Sequence, residues 1–256
     1  MTAKSAYPSC EKFERIKNTL IDLGILKENR NFFQNTVFYI IANVNFLPEE
    51  IICSVDPFSY TSHISAMVYH GLTDRLPSTL VFSSPPQKAW TQFAKEKTEK
   101  DLGEWFSHYI DAGFPKLVNI SFEKIEKRPI RKYASSHLGA FKTIKDKQLR
   151  VATIGRTFLD MVREPNLCGG INHVIDIYKD NGKKYESLIV ETIERHGTLI
   201  EKTRAGYILE ELCNIENPSL MKWAEQVQRG GSRKLDPKNE YSPIYSERWA
   251  LSLNAS

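Results

Sequence analysis

The spacing of apolar residues changes character at Gly155, and this switch constrains the fold more than any other feature of the chain. Beyond it, GRTFLDMV, Ile171–Tyr178, Tyr185–His196, Leu199–Cys213 and Leu220–Val227 all repeat at 3.6 residues, separated by Pro or Gly. That pattern predicts a helical C-terminal part. Before Gly155 the chain is mixed. Residues 11–23, Ser59–His70 and most of Lys88–Tyr109 read as helices, with Gly24 and Gly71 as stops. TVFYIIANV, Thr79–Ser83 and Lys116–Phe122 read as strands. Phe141–Ile144 and Leu149–Ile154 flank the polar turn KDKQ and predict a hairpin that presents Lys145 and Lys147 to solvent. Helices segregated from a small central sheet place the chain in the α+β class.

Composition narrows the alternatives. With 256 residues, 41% hydrophobic and 26% charged, the chain matches ordinary globular usage. That excludes a disordered protein, a collagen-like repeat and a disulfide-framed mini-protein. The longest apolar stretch, Val37–Ala42, is far short of the roughly 20 residues that span a bilayer. Residues 1–10 carry no apolar signal core, so a cytoplasmic protein without membrane contact is expected. Cys10, Cys53, Cys168 and Cys213 include no C-x-x-C pair, which predicts free buried thiols and no zinc site.

A search for chemistry finds no phosphate-binding, dinucleotide, zincin or nucleophile-elbow motif. A restriction-type nuclease commonly carries a Glu-x-Lys triplet on a strand, yet none of the 21 glutamates has Lys two positions later. The single Asp-x-Lys, Asp236-Pro237-Lys238, falls in a predicted loop. His63 and His70 lie seven apart on one predicted helix, with nothing nearby to complete a metal site, so a structural role is expected. Arg156 and Asp160 have the i,i+4 spacing of an ion pair. Cys168-Gly-Gly reads as a tight turn into a helix. No catalytic residue, metal or cofactor is expected.

The net charge of +4 is unevenly distributed. Between Ser121 and Arg150 nine basic residues face only Glu123, Glu126 and Asp146, an excess of six. Among them Arg131, Lys132, Lys142, Lys145, Lys147 and Arg150 are candidates for phosphate contacts, where each cation releases condensed counterions. A solvated lysine-rich face is the equal alternative. A second basic run, Arg229-Gly-Gly-Ser-Arg233-Lys234, sits in a Gly-rich turn. Lys12, Arg15 and Lys17 on the first helix complete the candidate set, although Glu11, Glu14 and Asp22 nearly cancel them.

Three stretches, in order, resemble the AbiEi family: Tyr60–Pro77 (YTSHISAMVYHGLTDRLP), Gly155–Val174 (GRTFLDMVREPNLCGGINHV) and Arg229–Leu253 (RGGSRKLDPKNEYSPIYSERWALSL). Members of that family are the antitoxin and transcriptional repressor of type IV toxin–antitoxin pairs in abortive infection, a phage defence. The resemblance covers about three quarters of the chain. It implies a protein that opposes a cognate AbiEii-type nucleotidyltransferase toxin and represses their shared operon. It also implies an antitoxin domain over residues 58–256, mixed to about 154 and mainly helical after. The N-terminal 1–57 would be an abbreviated winged-helix segment, keeping the third helix and the wing while lacking the first two helices. The alternatives are a restriction-like nucleic-acid-processing enzyme and a protein-docking module that never meets DNA.

Overall fold

The computed structural model describes residues 9–34, 36–41, 46–227 and 233–255. It begins with α1 (Cys10–Asp22), whose first turn is closed by the Ser9 hydroxyl accepting from Lys12 N–H. Gly24, at φ +68°, stops it as the sequence predicts. An antiparallel ribbon follows, β1 (Leu26–Glu28) paired with β2 (Phe38–Ile40). The expected strand TVFYIIANV is thus three residues long within its described part, and its Ala42–Val44 lie outside the described residues. No residue of α1 is buried. Phe13 meets Phe114 edge-on, Phe32 meets Phe122 edge-on, and Asn31 Oδ1 accepts from Glu126 N–H at 3.0 Å, so these contacts tie the segment to the rest.

The central part comprises α2 (Pro48–Val55), β3 (Tyr60–Thr61), α3 (His63–Tyr69), β4 (Leu80–Ser84), α4 (Gln87–Leu102), α5 (Phe106–Asp111), β5 (Lys124–Ile125), β6 (Arg128–Ala134), β7 (Phe141–Thr143) and β8 (Arg150–Ala152). Its six strands run in the order β5-β6-β4-β3-β8-β7. The longest ladder is parallel, Leu80↔Ile130 through Ser84↔Ala134. Strand alternation sorts this ladder into two faces. Leu80, Phe82 and Ile130 pack with Ile51 and Ile52 of α2 and with Ile120, so α2, which precedes residue 57, belongs to the core of the sheet. On the opposite face Ser83 and Tyr133 meet α3.

Two elements differ from the sequence reading. Ser59–His70 is a short strand and then a helix, because Tyr60 and Thr61 find ladder partners in β4 and Thr61 a second one in β8. Lys116–Phe122 alternates like a strand but joins no ladder; Ile120 is buried and its carbonyl accepts from the Lys132 ammonium at 2.7 Å. The strand is RPIRKYA (β6), whose charges and Pro129 mask its pattern. Near one edge of the sheet Pro129 is tolerated, facing only the two-residue β5.

After β8 come α6 (Ile154–Arg163), α7 (Ile171–His196), α8 (Leu199–Tyr207) continuing into a π-helical segment Ile208–Leu212, and α9 (Pro218–Glu225). A terminal ribbon pairs β9 (Tyr245–Ser246) with β10 (Leu251–Ser252). The two helices expected over 171–178 and 185–196 are one helix with a kink at Tyr185 (φ −111°, ψ 15°). Gly182 does not break it, and Leu209 packs close by. This half holds the largest core, from Phe158 and Leu159 through Tyr178 and Ile193 to Trp223 and Trp249. The molecule is α+β, with a mixed sheet in the middle and the helices concentrated after it. Among the described residues no helix is long and apolar enough to cross a membrane.

Candidate functional site

The basic candidates divide into exposed and engaged groups. Lys12 and Arg15 are exposed on α1, while Lys17 pairs with Glu14 at 2.6 Å and covers the Phe13 and Phe38 rings. Arg131 is exposed on β6. Lys132 is exposed too, but its ammonium is bonded to Asn119 Oδ1 at 3.1 Å and to Ile120 O, and partial burial lowers its pKa. β7 and β8 form the expected hairpin, with Lys142, Lys145 and Lys147 exposed and Asp146 at φ +61° in the turn.

Arg150 is taken. Its Nη2 donates to Cys53 O at 2.7 Å and Asp56 O at 2.6 Å, and its Nε to Ser59 O at 2.8 Å. The guanidinium therefore satisfies carbonyls at the negative end of α2. Lys234 donates to Asn239 O at 2.8 Å, and Arg233 is engaged as well. Arg229 lies outside the described residues. The basic window 121–150 is also divided in space: β6 and the β7–β8 hairpin are separated in the sheet by β4 and β3. Adjacent in sequence, its cations do not form one patch.

A groove of about 550 Å³ is lined by β2, α2, Glu126 and Asp146–Gln148. Phe38, Tyr39 and Phe46 supply aromatic wall, and Glu50, Glu126 and Asp146 outnumber Lys147. Such a lining suits an apolar or cationic protein segment better than a phosphate backbone.

The three stretches that resemble AbiEi proteins share one buried core. Met67 and Leu72 from the first share a core with Phe158, Leu159 and Val162 of the second and with Leu235, Trp249 and Leu251 of the third. Arg204 links the last two by donating to Val162 O at 3.0 Å and Lys234 O at 2.9 Å. Thr73 Oγ1 lies 3.0 Å from His173 Nε2, joining the first to the second.

Under α3 and α6 lies a buried polar cluster. Arg156 pairs with Asp160 at 2.7 Å, as its spacing predicts, and also donates to His137 O at 2.7 Å. Arg163 grips Glu201 with Nε at 2.5 Å and Nη2 at 3.0 Å, a pairing over 38 residues that no local pattern reveals. Ser83 Oγ donates to Ser62 Oγ at 2.8 Å, and Ser62 Oγ lies 2.8 Å from His63 Nδ1. Burial pushes the His63 pKa down to about 4. His70 instead pairs through Nε2 with Ala152 O at 2.7 Å, so the two histidines serve separate partners. Cys168 is fully buried, and desolvation raises its thiol pKa well above the usual value. The glycines after it, at φ +91° and +92°, make the expected turn into α7. Among the described residues no group of three or more His, Cys, Asp or Glu is placed to hold a metal ion.

Compared with known proteins, the chain matches no family model and no curated protein.

Proposed function

We propose that this chain is a non-catalytic antitoxin of the AbiEi kind, opposing a cognate AbiEii-type nucleotidyltransferase toxin and repressing its own operon by binding operator DNA in the cytoplasm. The carrying observation is that the three stretches behind the resemblance, about 150 residues apart from first to last, contribute to one buried core. Residues that make one folded unit are the kind a family signature preserves. Operator binding would use the exposed cations of α1 and of the β7–β8 hairpin, because Lys132, Arg150 and Lys234 are spent on internal carbonyls.

The decisive experiment co-expresses this chain with the neighbouring reading frame. Growth arrest by that frame alone, relieved by this chain, is the expected result. A harmless neighbour, or arrest that persists in its presence, overturns the proposal. A second reading, a protein-docking module without DNA binding, is favoured by the acidic, aromatic groove lined by β2 and α2. Salt-sensitive co-purification with the neighbouring product, with no shift of promoter DNA at low salt, would select it.

A further inference from the structure

Among the described residues β2 pairs with β1 alone, so its other edge is open. Asn29 N–H donates to Val37 O at 2.9 Å and Ile41 N–H to Ile25 O at 3.0 Å, so the odd-numbered residues of this strand face β1. Antiparallel pairing alternates, which turns the backbone N–H and C=O of Phe38 and Ile40 outward. Such an edge is a template for another strand, and proteins commonly blunt it with charged side chains, above all Lys. β1 carries Lys27, β5 Lys124 and β7 Lys142, each of them exposed. β2 reads Phe-Tyr-Ile, with Ile40 54% exposed. Its edge is unguarded.

The acidic, aromatic groove follows this edge. Val37, Phe38, Tyr39 and Ile40 all line it, whereas side chains along a strand alternate between its two faces. Four consecutive lining residues therefore mark the edge of the strand, and Leu26–Glu28 of β1 are not among them. From α2, Glu50, Ile51, Ser54 and Val55 contribute, at the i, i+1, i+4 and i+5 spacing of one helical face. Phe46 adds to the apolar surface, and Glu50, Glu126 and Asp146 outnumber Lys147. Glu126 and Asp146 are exposed, while Glu50 is held in place by accepting from Leu47 N–H at 2.9 Å.

We propose that this groove takes an extended, Lys- or Arg-bearing segment of a partner protein, which adds to the open edge of β2 as a third strand. Backbone bonds to Phe38 and Ile40 supply the affinity. Alternate side chains of the segment supply the choice of partner, apolar ones against Phe46 and Ile51 and basic ones toward Glu126 and Asp146. A phosphate backbone fails on charge. A helix would leave the outward N–H and C=O groups of the strand unused. A second copy of β2 would bring two acidic grooves together. The inference rests on the docking reading above and names the chemistry of its partner. A third strand also gives this two-stranded ribbon the support that such ribbons lack alone.

Titration of the full chain with a short capped peptide alternating Lys and Val, followed by backbone NMR, tests this. Binding should shift the amide resonances of Phe38 and Ile40 and slow their hydrogen exchange. Replacing the peptide's Lys by Glu, or N-methylating its backbone, should each weaken binding about tenfold. The variant Glu126→Lys should weaken the Lys–Val peptide and favour the Glu–Val peptide, with Tm unchanged. No binding of the Lys–Val peptide, equal binding of the Glu–Val peptide, or indifference to N-methylation overturns the proposal. Protection of Phe38 and Ile40 that grows with protein concentration before any peptide is added assigns the edge to a second copy and overturns it as well. If the neighbouring product co-purifies with this chain although the peptide does not bind, the docking reading stands and strand addition alone fails.

Discussion

His63 combines a strained backbone with a ring kept neutral by burial, and the second property has a measurable consequence. Its pKa is near 6.5 when unfolded and about 4 when folded. As pH falls through that window the unfolded chain takes up a proton that the native state refuses. Its contribution to stability is complete above about pH 6.5 and is lost as pH approaches 4. Burial shifts His70, His173 and His196 in the same direction. Urea unfolding of His63→Asn across this range should show a flatter pH dependence, by at most about 1.4 kcal/mol per pH unit; a slope equal to the wild type's would remove His63 from the account. Asp160 carries the neighbouring prediction. Asp160→Ala strands the Arg156 guanidinium in a site only 1% exposed, and stability should fall by roughly 3–5 kcal/mol. Asp101→Ala breaks a pair of similar length, Lys97–Asp101 at 2.8 Å, but on the surface, and should cost no more than about 1 kcal/mol. Equal losses in a denaturation series would refute the distinction. Distance is the same; dielectric decides.

Between elements, the most exacting contact is that of α8 with the C-terminal ribbon. The Trp249 ring lies on Gly206, where an added Cβ would stand 2.1 Å from Trp249 Cη2. The π-helical segment after α8 presents Glu210 and Glu211 to the same strap. Glu210 accepts from Trp249 Nε1 at 2.9 Å and from Arg248 Nη2 at 2.7 Å, and Glu211 from Ser246 Oγ at 2.5 Å. Gly206→Ala should displace Trp249, red-shift tryptophan emission and cost about 1–3 kcal/mol by overpacking. A variant with native emission and stability would show that the strap repacks freely. Helix existence on this side was legible from the 3.6-residue recurrence of apolar residues, although α6 is buried from Gly155 through Arg163, on every face. The kinked continuity of α7 was not, since nothing local reports that Leu209 packs at Gly182.

For the whole molecule, fold has rearranged charge. The window 121–150 is the strongest basic signal in the sequence, yet Arg128 pairs with Glu49 at 2.8 Å, Lys132 and Arg150 bind carbonyls, and Arg131 stands on a different strand from the hairpin lysines. Surface and internal cations should therefore separate by experiment. Replacing Lys142, Lys145 and Lys147 together by Gln should leave Tm unchanged and reduce the salt slope of promoter binding by roughly three, about 0.9 for each phosphate that is no longer neutralised. Arg150→Gln should do the reverse, lowering Tm with little change in slope. Equivalent effects of both in paired gel-shift and melting experiments would contradict the assignment of Arg150 to the cap of α2.

The amino-acid order alone determined the α+β class, the helical C-terminal half, the β7–β8 hairpin, the Arg156–Asp160 pair and the Gly169–Gly170 turn. These follow from interactions spanning a few residues, for which spacing is sufficient information. Only the tertiary structure decided that β6 is a strand and Lys116–Phe122 is not, that Arg163 meets Glu201, and that Ser83 reaches Ser62 at the start of α3. Each of those depends on partners brought from tens of residues away, and on whether the burial they create is matched by a hydrogen bond.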